Sequence, residues 1–342
     1  MSTSSNALCA TSTTIPNLSA IKPSLYFLKS GNKLFASLKV SKYVLFNSYP
    51  NCEALYFKNP ISKSALCATK IESPTNSNIL GNTLSEIAVQ KAGIIKENSN
   101  TIFISQDDEV NKVIENTCKA KNNTLHLIKE QDISNYSYDE NYQKFDYRNY
   151  KNVLVNLKGK KQIYNASICL ECMQILKDKG YTISENSIRR GLSTAIHKAR
   201  FEKLNENPTI IYDGAHNKPA MQNLINSVNM YYKNNKKVFI VSILKTKDYK
   251  GMLGELLQDK KATYIFTSGN SKERYVQGEV LANTAKEIMK EANIQVKNLK
   301  DSIYYSVKNY KDSTIFIVGS FYVYGDVINI LKEIKNESTN CN

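Results

Sequence analysis

This chain is poor in three things, and each absence removes a class of function. No uncharged apolar run approaches the roughly eighteen residues that a membrane-spanning helix needs, so no membrane partner is expected. Arginine is scarce: Arg148, Arg189, Arg190, Arg200 and Arg274 are all there is. Glycine is nearly missing from the front, where Gly31 stands alone before Gly81. No G-x-x-x-x-G-K-S/T string occurs, so the loop whose amides and lysine cradle nucleotide phosphates is not encoded.

The shortage of arginine decides how the net charge of +15 is read. Recognition of bases and phosphates favours the bidentate arginine fork. Here the charge is lysine, scattered among asparagines with no compact basic stripe, and no nucleic-acid partner is expected. With 42% hydrophobic and 23% charged residues, the composition is that of a soluble globular protein long enough for two domains. Seven cysteines and no secretory signal read as reduced thiols, and a cytoplasmic monomer is expected. Cys169 and Cys172 form a C-x-x-C, but no second ligand pair accompanies them. Ala166, Cys169, Leu170 and Met173 share one helical face, which points to core packing.

Residues 1–52 hold no Asp or Glu and much Ser and Thr, the composition of an organelle transit segment. They lack arginine and a clear amphipathic helix, so a disordered or foreign extension over 1–77 is the preferred expectation. A short string also recurs there, Ala7-Leu8-Cys9-Ala10-Thr11 and Ala65-Leu66-Cys67-Ala68-Thr69. Beyond residue 80 the pattern is regular. Leu84, Ile87, Ala88 and Lys91 lie at helical spacing, residues 101–105 form a β-branched run, and Val110, Val113, Ile114 and Cys118 share a helix face. Residues 125–128 read as a strand, and the tyrosine-rich stretch 136–157 as a hairpin or small sheet. Helices are expected over 165–179, closing at Gly180, and over 184–195. The last third predicts strands at 209–212, 238–244, 263–267, 294–296 and 314–318, separated by amphipathic helices. That alternation specifies a mainly parallel, doubly wound α/β domain, with its ligand site beyond the carboxyl ends of the strands.

One string sits at such an end. Asp213-Gly214-Ala215-His216-Asn217 follows the strand at 209–212, and Pro219 opens a helix. A strand, a tight glycine turn and a helix N-terminus make an anion-facing site. Asp213 could accept from ribose hydroxyls and His216 could touch a carboxylate or phosphate. The alternative is an Asx turn capping the helix through Asn217 or Asp213.

Further strings occur in one order along the chain. They are Leu80-Gly81-Asn82-Thr83 with Lys91-Ala92-Gly93-Ile94, Gln162 with Asn165-Ala166, and Arg200-Phe201-Glu202. Then come Asp213 to Asn217, Leu244 to Asp248 with Gly251-Met252-Leu253, and Gly319-Ser320-Phe321-Tyr322. Together the strings resemble the folylpolyglutamate synthase/dihydrofolate synthase family within the Mur ligase superfamily, over roughly residues 78–335. The resemblance implies an incomplete Mur-ligase-type central domain over 78–197. A Rossmann-like, mainly parallel C-terminal α/β domain over 198–335 and a tail over 336–342 would follow.

It implies a ligase that uses ATP and Mg²⁺ to join L-glutamate to a folate, tetrahydrofolate or dihydropteroate, through an acyl phosphate. It further implies that Asn165, Arg200 and Asp213 contact ATP, with the arginine near the phosphates. His216 would be catalytic, and a carbamylated Lys91 would help hold the metal. On residues alone Lys91 reads as a solvated helix lysine. The departures are the missing Gly-rich loop and the Thr75 and Asn76 that stand where the family has Asp and His. Milder ones are Gln90 for a glutamate, Lys198 for a proline, Ala199 for a glycine and Thr246 for an aspartate. An impaired ligase is therefore expected. A non-catalytic nucleotide- or glutamate-binding relic is the main alternative, and a Mur-type cell-wall ligase a further one.

Overall fold

In the computed structural model of the chain, residues 24–30, 33–39, 45–46, 53–58, 65–70 and 83–340 are described. The acid-free segment and the strings at residues 73–82 lie largely or wholly outside them. Five strands come first, described by backbone alone: β1 (Ser24–Ser30), β2 (Lys33–Lys39), β3 (Leu45–Phe46), β4 (Glu53–Lys58) and β5 (Ala65–Lys70).

Helix α1 (Leu84–Ala92) starts where the side chain of Thr83 accepts from the Glu86 amide and that of Glu86 accepts from the Thr83 amide. This reciprocal box satisfies two orphan donors of the first turn. Strand β6 (Asn100–Ile104), helix α2 (Asp108–Ala120) and strand β7 (Thr124–Ile128) follow. The sheet runs in the order β3-β4-β5-β6-β7, with β5, β6 and β7 parallel. Ile87, Ala88 and Ala92 of α1 and Val110, Ile114 and Cys118 of α2 meet Phe103 in one core on this sheet.

The tyrosine-rich stretch forms three antiparallel strands, β8 (Ile133–Tyr138), β9 (Gln143–Tyr147) and β10 (Tyr150–Val155), in the order β10-β9-β8. Helix α3 (Lys160–Asp178) packs between this small sheet and β6 and β7, burying Ala166, Leu170, Cys172 and Met173 with Ile102, Ile128 and Phe145. Cys169 and Cys172 on this helix form no disulfide, and Cys172 is part of the core. The helix begins five residues before the expected 165, because Gly159 takes a φ of 97° and turns the chain into it. Helix α4 (Glu185–Ser193) is capped by Ser184, whose side chain accepts from the Ser187 amide.

The last third contains β11 (Glu202–Asn205), β12 (Ile210–Asp213), α5 (Lys218–Tyr231), β13 (Lys236–Val241), α6 (Tyr249–Leu256) and β14 (Thr263–Phe266). It continues with α7 (Gly278–Ile288), β15 (Asn293–Val296), α8 (Leu299–Asn309), β16 (Ser313–Val318) and α9 (Tyr324–Asn340). The order β11-β12-β16-β13-β14-β15 is parallel throughout except at β11, an antiparallel edge strand that the periodicity does not predict. Alternate residues feed two cores. Phe316 and Val318 pack with α5, α6 and α7 on one face, while Ile315 and Ile317 pack with α8 and α9 on the other. A sheet covered on both faces needs strands apolar on both sides, and all six residues of β16 are buried. Strand β12 leads through α5 to β13, and β16 later inserts between those two strands, so their carboxyl ends open a crevice at the switch point.

Candidate functional site

The crevice is built from the turn after β12. Asp213 ends the strand, and Asn217 caps α5 with its side-chain oxygen accepting the Ala220 amide at 2.8 Å. The Asx cap is thus real and belongs to Asn217, which leaves Asp213 for another task. Gly214 is required by packing, because a side-chain carbon there would run into the ring of Phe321. Gly319, after β16, has a φ of 105°, and a side-chain carbon at that position would strike the carbonyl of Ser242. These two glycines let the ends of β12, β13 and β16 close on one another and set Phe321 in the mouth of the crevice.

Two of the expected residues meet that ring, and a third, Asp213, lies beside them in the chain. The Arg200 guanidinium lies 4.7 Å from its centroid. The His216 imidazole is 5.3 Å away, tilted by 58°, and only 5% exposed. Its Nδ1 is 2.9 Å from the Gly214 carbonyl. A carbonyl only accepts, so Nδ1 carries the proton in this pair. Asp213 accepts the Phe201 amide on Oδ2 at 2.9 Å. Burial pushes the Asp213 carboxyl above its ordinary value, partly countered by Arg200, by the amides of Phe201 and Ala215, and by Lys161.

Lys161 stands in the first turn of α3, and its charge acts on the Asp213 carboxyl. Gly159, just before it, abuts α5, since a side-chain carbon there would lie 2.6 Å from the Ser227 hydroxyl. Asn165 stands on the same helix, partly buried, donating to the Gln162 oxygen at 3.0 Å. Lys91 belongs to a different packing unit. It is 9% exposed on α1, among residues that face α2 and β6. Arg200, Lys161 and the amino end of α5 together favour an anion at the carboxyl ends of β12 and β16.

Lys161 and the ring of Phe321 escaped the sequence reading. Lys161 carries no motif. Phe321 stands inside the Gly-Ser-Phe-Tyr string, but its place beneath Arg200 depends on two glycines in different strand ends. A few residues further along the sheet edge, Arg274 stacks on the exposed Tyr322 at 4.7 Å.

Comparison with known proteins bears on this geometry. Residues 197–330 match a family model described as the dihydrofolate synthetase C-terminal domain. The Bacillus subtilis dihydrofolate synthase/folylpolyglutamate synthase is 27% identical over 271 residues, covering 75% of this chain and 60% of that protein. The Mycobacterium tuberculosis folylpolyglutamate synthase complexed with ADP and AMPPCP superimposes with a TM-score of 0.67 at 20% identity, over 77% of this chain and 62% of its own. Escherichia coli FolC in complex with DHPP and ADP gives 0.62 at 22%, over 78% and 61%. The chain thus spans about three fifths of the length of these relatives. Motif order, sheet topology and these matches agree: residues 197–330 match the dihydrofolate synthetase C-terminal domain, and most of the chain is similar to folylpolyglutamate and dihydrofolate synthases.

Proposed function

We propose that the crevice at the ends of β12 and β16 binds an adenine nucleotide and serves ATP-dependent addition of L-glutamate to a folate, tetrahydrofolate or dihydropteroate. The observation that carries this reading is the convergence of Arg200 and His216 on Phe321 at the amino end of α5, with Asp213 holding the backbone next to Arg200 through the Phe201 amide. The nucleotide complexes of the M. tuberculosis and E. coli relatives support it. In this reading Arg200 meets the phosphates, while Asp213 and Asn165 hold the nucleoside. His216 acts beside them as the catalytic imidazole, oriented by the Gly214 carbonyl. The folate carboxylate is a poor acyl donor until phosphorylated, and the glutamate amine then displaces phosphate from the acyl phosphate. The central region over 78–197 and the C-terminal region over 198–335 form the two walls.

Mg²⁺ would neutralise charge during phosphoryl transfer. The described side chains do not make its site unaided: an ammonium has no lone pair to give, and among the described residues no group of three or more His, Cys, Asp or Glu converges. Carbamylation of Lys91 would supply oxygens of the kind that suit this hard cation.

A second reading rests on the sequence itself. These 342 residues encode no Gly-rich phosphate loop, so turnover is impaired, and a relic that binds nucleotide or glutamate without catalysis is the alternative. Calorimetry with ATP and Mg²⁺ tests the site, and a folate glutamylation assay tests the turnover. Micromolar binding is expected if the crevice is a nucleotide site. Absence of any binding would sink that assignment, and efficient glutamylation by the pure chain would sink the impairment.

A further inference from the structure

Residues 197–201 carry the chain from the central region into the six-stranded sheet through a backbone that L-residues rarely adopt. Ala199 has a φ of 60° and Phe201 a φ of 45°, and both are buried. Such conformations persist only where the surroundings over-determine them. Two carboxylates do so here. Glu202 Oε2 accepts the Ala199 amide at 2.6 Å, and Asp213 Oδ2 accepts the Phe201 amide at 2.9 Å. The Gly214 amide donates to the Ala199 carbonyl at 2.8 Å, and the Arg200 amide to the His197 carbonyl at 3.2 Å. Arg200 thus sits between two clasped amides, with its guanidinium over Phe321.

Glu202 is itself held. Its Oε1 accepts the Tyr324 hydroxyl at 3.2 Å, and the Tyr324 ring stands edge-on to the buried Tyr212 at 5.1 Å. The carboxylate therefore links the first residue of β11, the domain linker and the start of α9.

We propose that Glu202 is a positioning residue whose carboxylate keeps the left-handed Ala199 turn closed and so fixes the Arg200 guanidinium at the mouth of the crevice. It rests on the nucleotide reading for what Arg200 meets, but not for how Arg200 is held. A long arginine side chain anchored at both neighbouring amides needs less ordering when an anion arrives.

Two readouts on the full chain test this, one of them free of ligand. Arg200 is one of five arginines, so its Nε–H resonance is assignable by its loss in Arg200→Lys. In the wild type and in Glu202→Gln it should keep the displacement given by the Phe321 ring, because an amide oxygen still accepts from Ala199. In Glu202→Ala it should move to the position of a free arginine and sharpen, and an unchanged signal overturns the proposal. If Glu202→Ala fails to fold, Tyr324→Phe frees one Glu202 oxygen and should move the signal in the same direction by less; no movement there also overturns it.

The second readout is calorimetry with ATP and Mg²⁺. Glu202→Ala should weaken binding about tenfold, Glu202→Gln should restore it, and Glu202→Ala with Arg200→Ala should bind no more weakly than Arg200→Ala alone. Fully additive losses contradict the proposal. A wild type that binds no ATP overturns the nucleotide reading instead, and the resonance then decides the positioning.

Discussion

In the six-stranded sheet most buried strand positions are apolar, and Phe239, Tyr264 and Phe316 stack across three neighbouring strands at 5.4 and 5.1 Å. Helix α3 of the central region differs, because it buries a glutamate. Glu171 is 6% exposed and receives Arg148 at 2.7 Å, the Tyr147 hydroxyl at 2.7 Å and His126 Nδ1 at 3.3 Å, which ties α3 to β7 and β9. One region is held by continuous apolar runs and the other is pinned by a charged hub. The first tolerates volume-conserving change but not holes, whereas the second depends on partners that cannot be removed singly.

The largest expected effect tests the apolar side of this contrast. Phe316→Ala should cost about 3–5 kcal/mol in the C-terminal sheet, seen in chemical denaturation, with amide protection in α1 and α2 little changed. Equal loss of protection in both regions would show that they unfold as one. Glu171→Gln should cost about 2–3 kcal/mol in the central region, because it removes the buried charge on which Arg148, Tyr147 and His126 converge.

Acid sharpens the same contrast. Burial alone would raise the Glu171 carboxyl, but hydrogen bonds from His126 and Tyr147 and the Arg148 charge hold it below its ordinary value of 4.5. Its folded pKa is depressed, so its contribution is present above 4.5 and is lost as pH falls through the folded value. Asp213 runs the other way. Its raised carboxyl contributes fully below its ordinary 3.8, and that contribution is lost as pH rises through the folded value. Asp259, bonded to Lys237 at 2.9 Å, is depressed like Glu171 and gives the C-terminal sheet some acid sensitivity of its own. Hydrogen exchange between pH 6 and pH 3 should therefore show α3 and β9 losing protection, and Glu171→Gln should flatten that loss; an unaltered profile refutes the hub.

Smaller effects lie in the crevice. Gly319→Ala should cost about 2 kcal/mol, since φ of 105° and the Ser242 carbonyl both oppose a side chain. Asn217→Ala should cost about 1 kcal/mol through the lost cap of α5, read as a drop in melting temperature.

Much of this was legible in the residues. The runs at 238–244, 263–267 and 314–318 are apolar on both faces and could only be covered strands, and the structure places β13, β14 and β16 there. The tyrosine-rich stretch became β8, β9 and β10 because its alternation leaves one face for α3. Strand β11 was not legible. It has four residues, none fully buried, and exists because β12 offers it an edge. The early start of α3 also escaped, since nothing local marks Lys160 and Lys161 as helical until Gly159 turns the chain.

By itself the sequence determined the class of fold, the order of the strands along the chain and the string from Asp213 to Asn217, because period and turn chemistry are local. Tertiary structure alone decided that Asn217 rather than Asp213 caps α5, that Asp213 and Glu202 hold the linker, and that Arg200 lies on Phe321. The first two depend on which way a short turn folds, and Asp213 reaches the Phe201 amide because β11 folds back on β12. The packing of β12 beside β16 brings Arg200 to Phe321, distant in sequence.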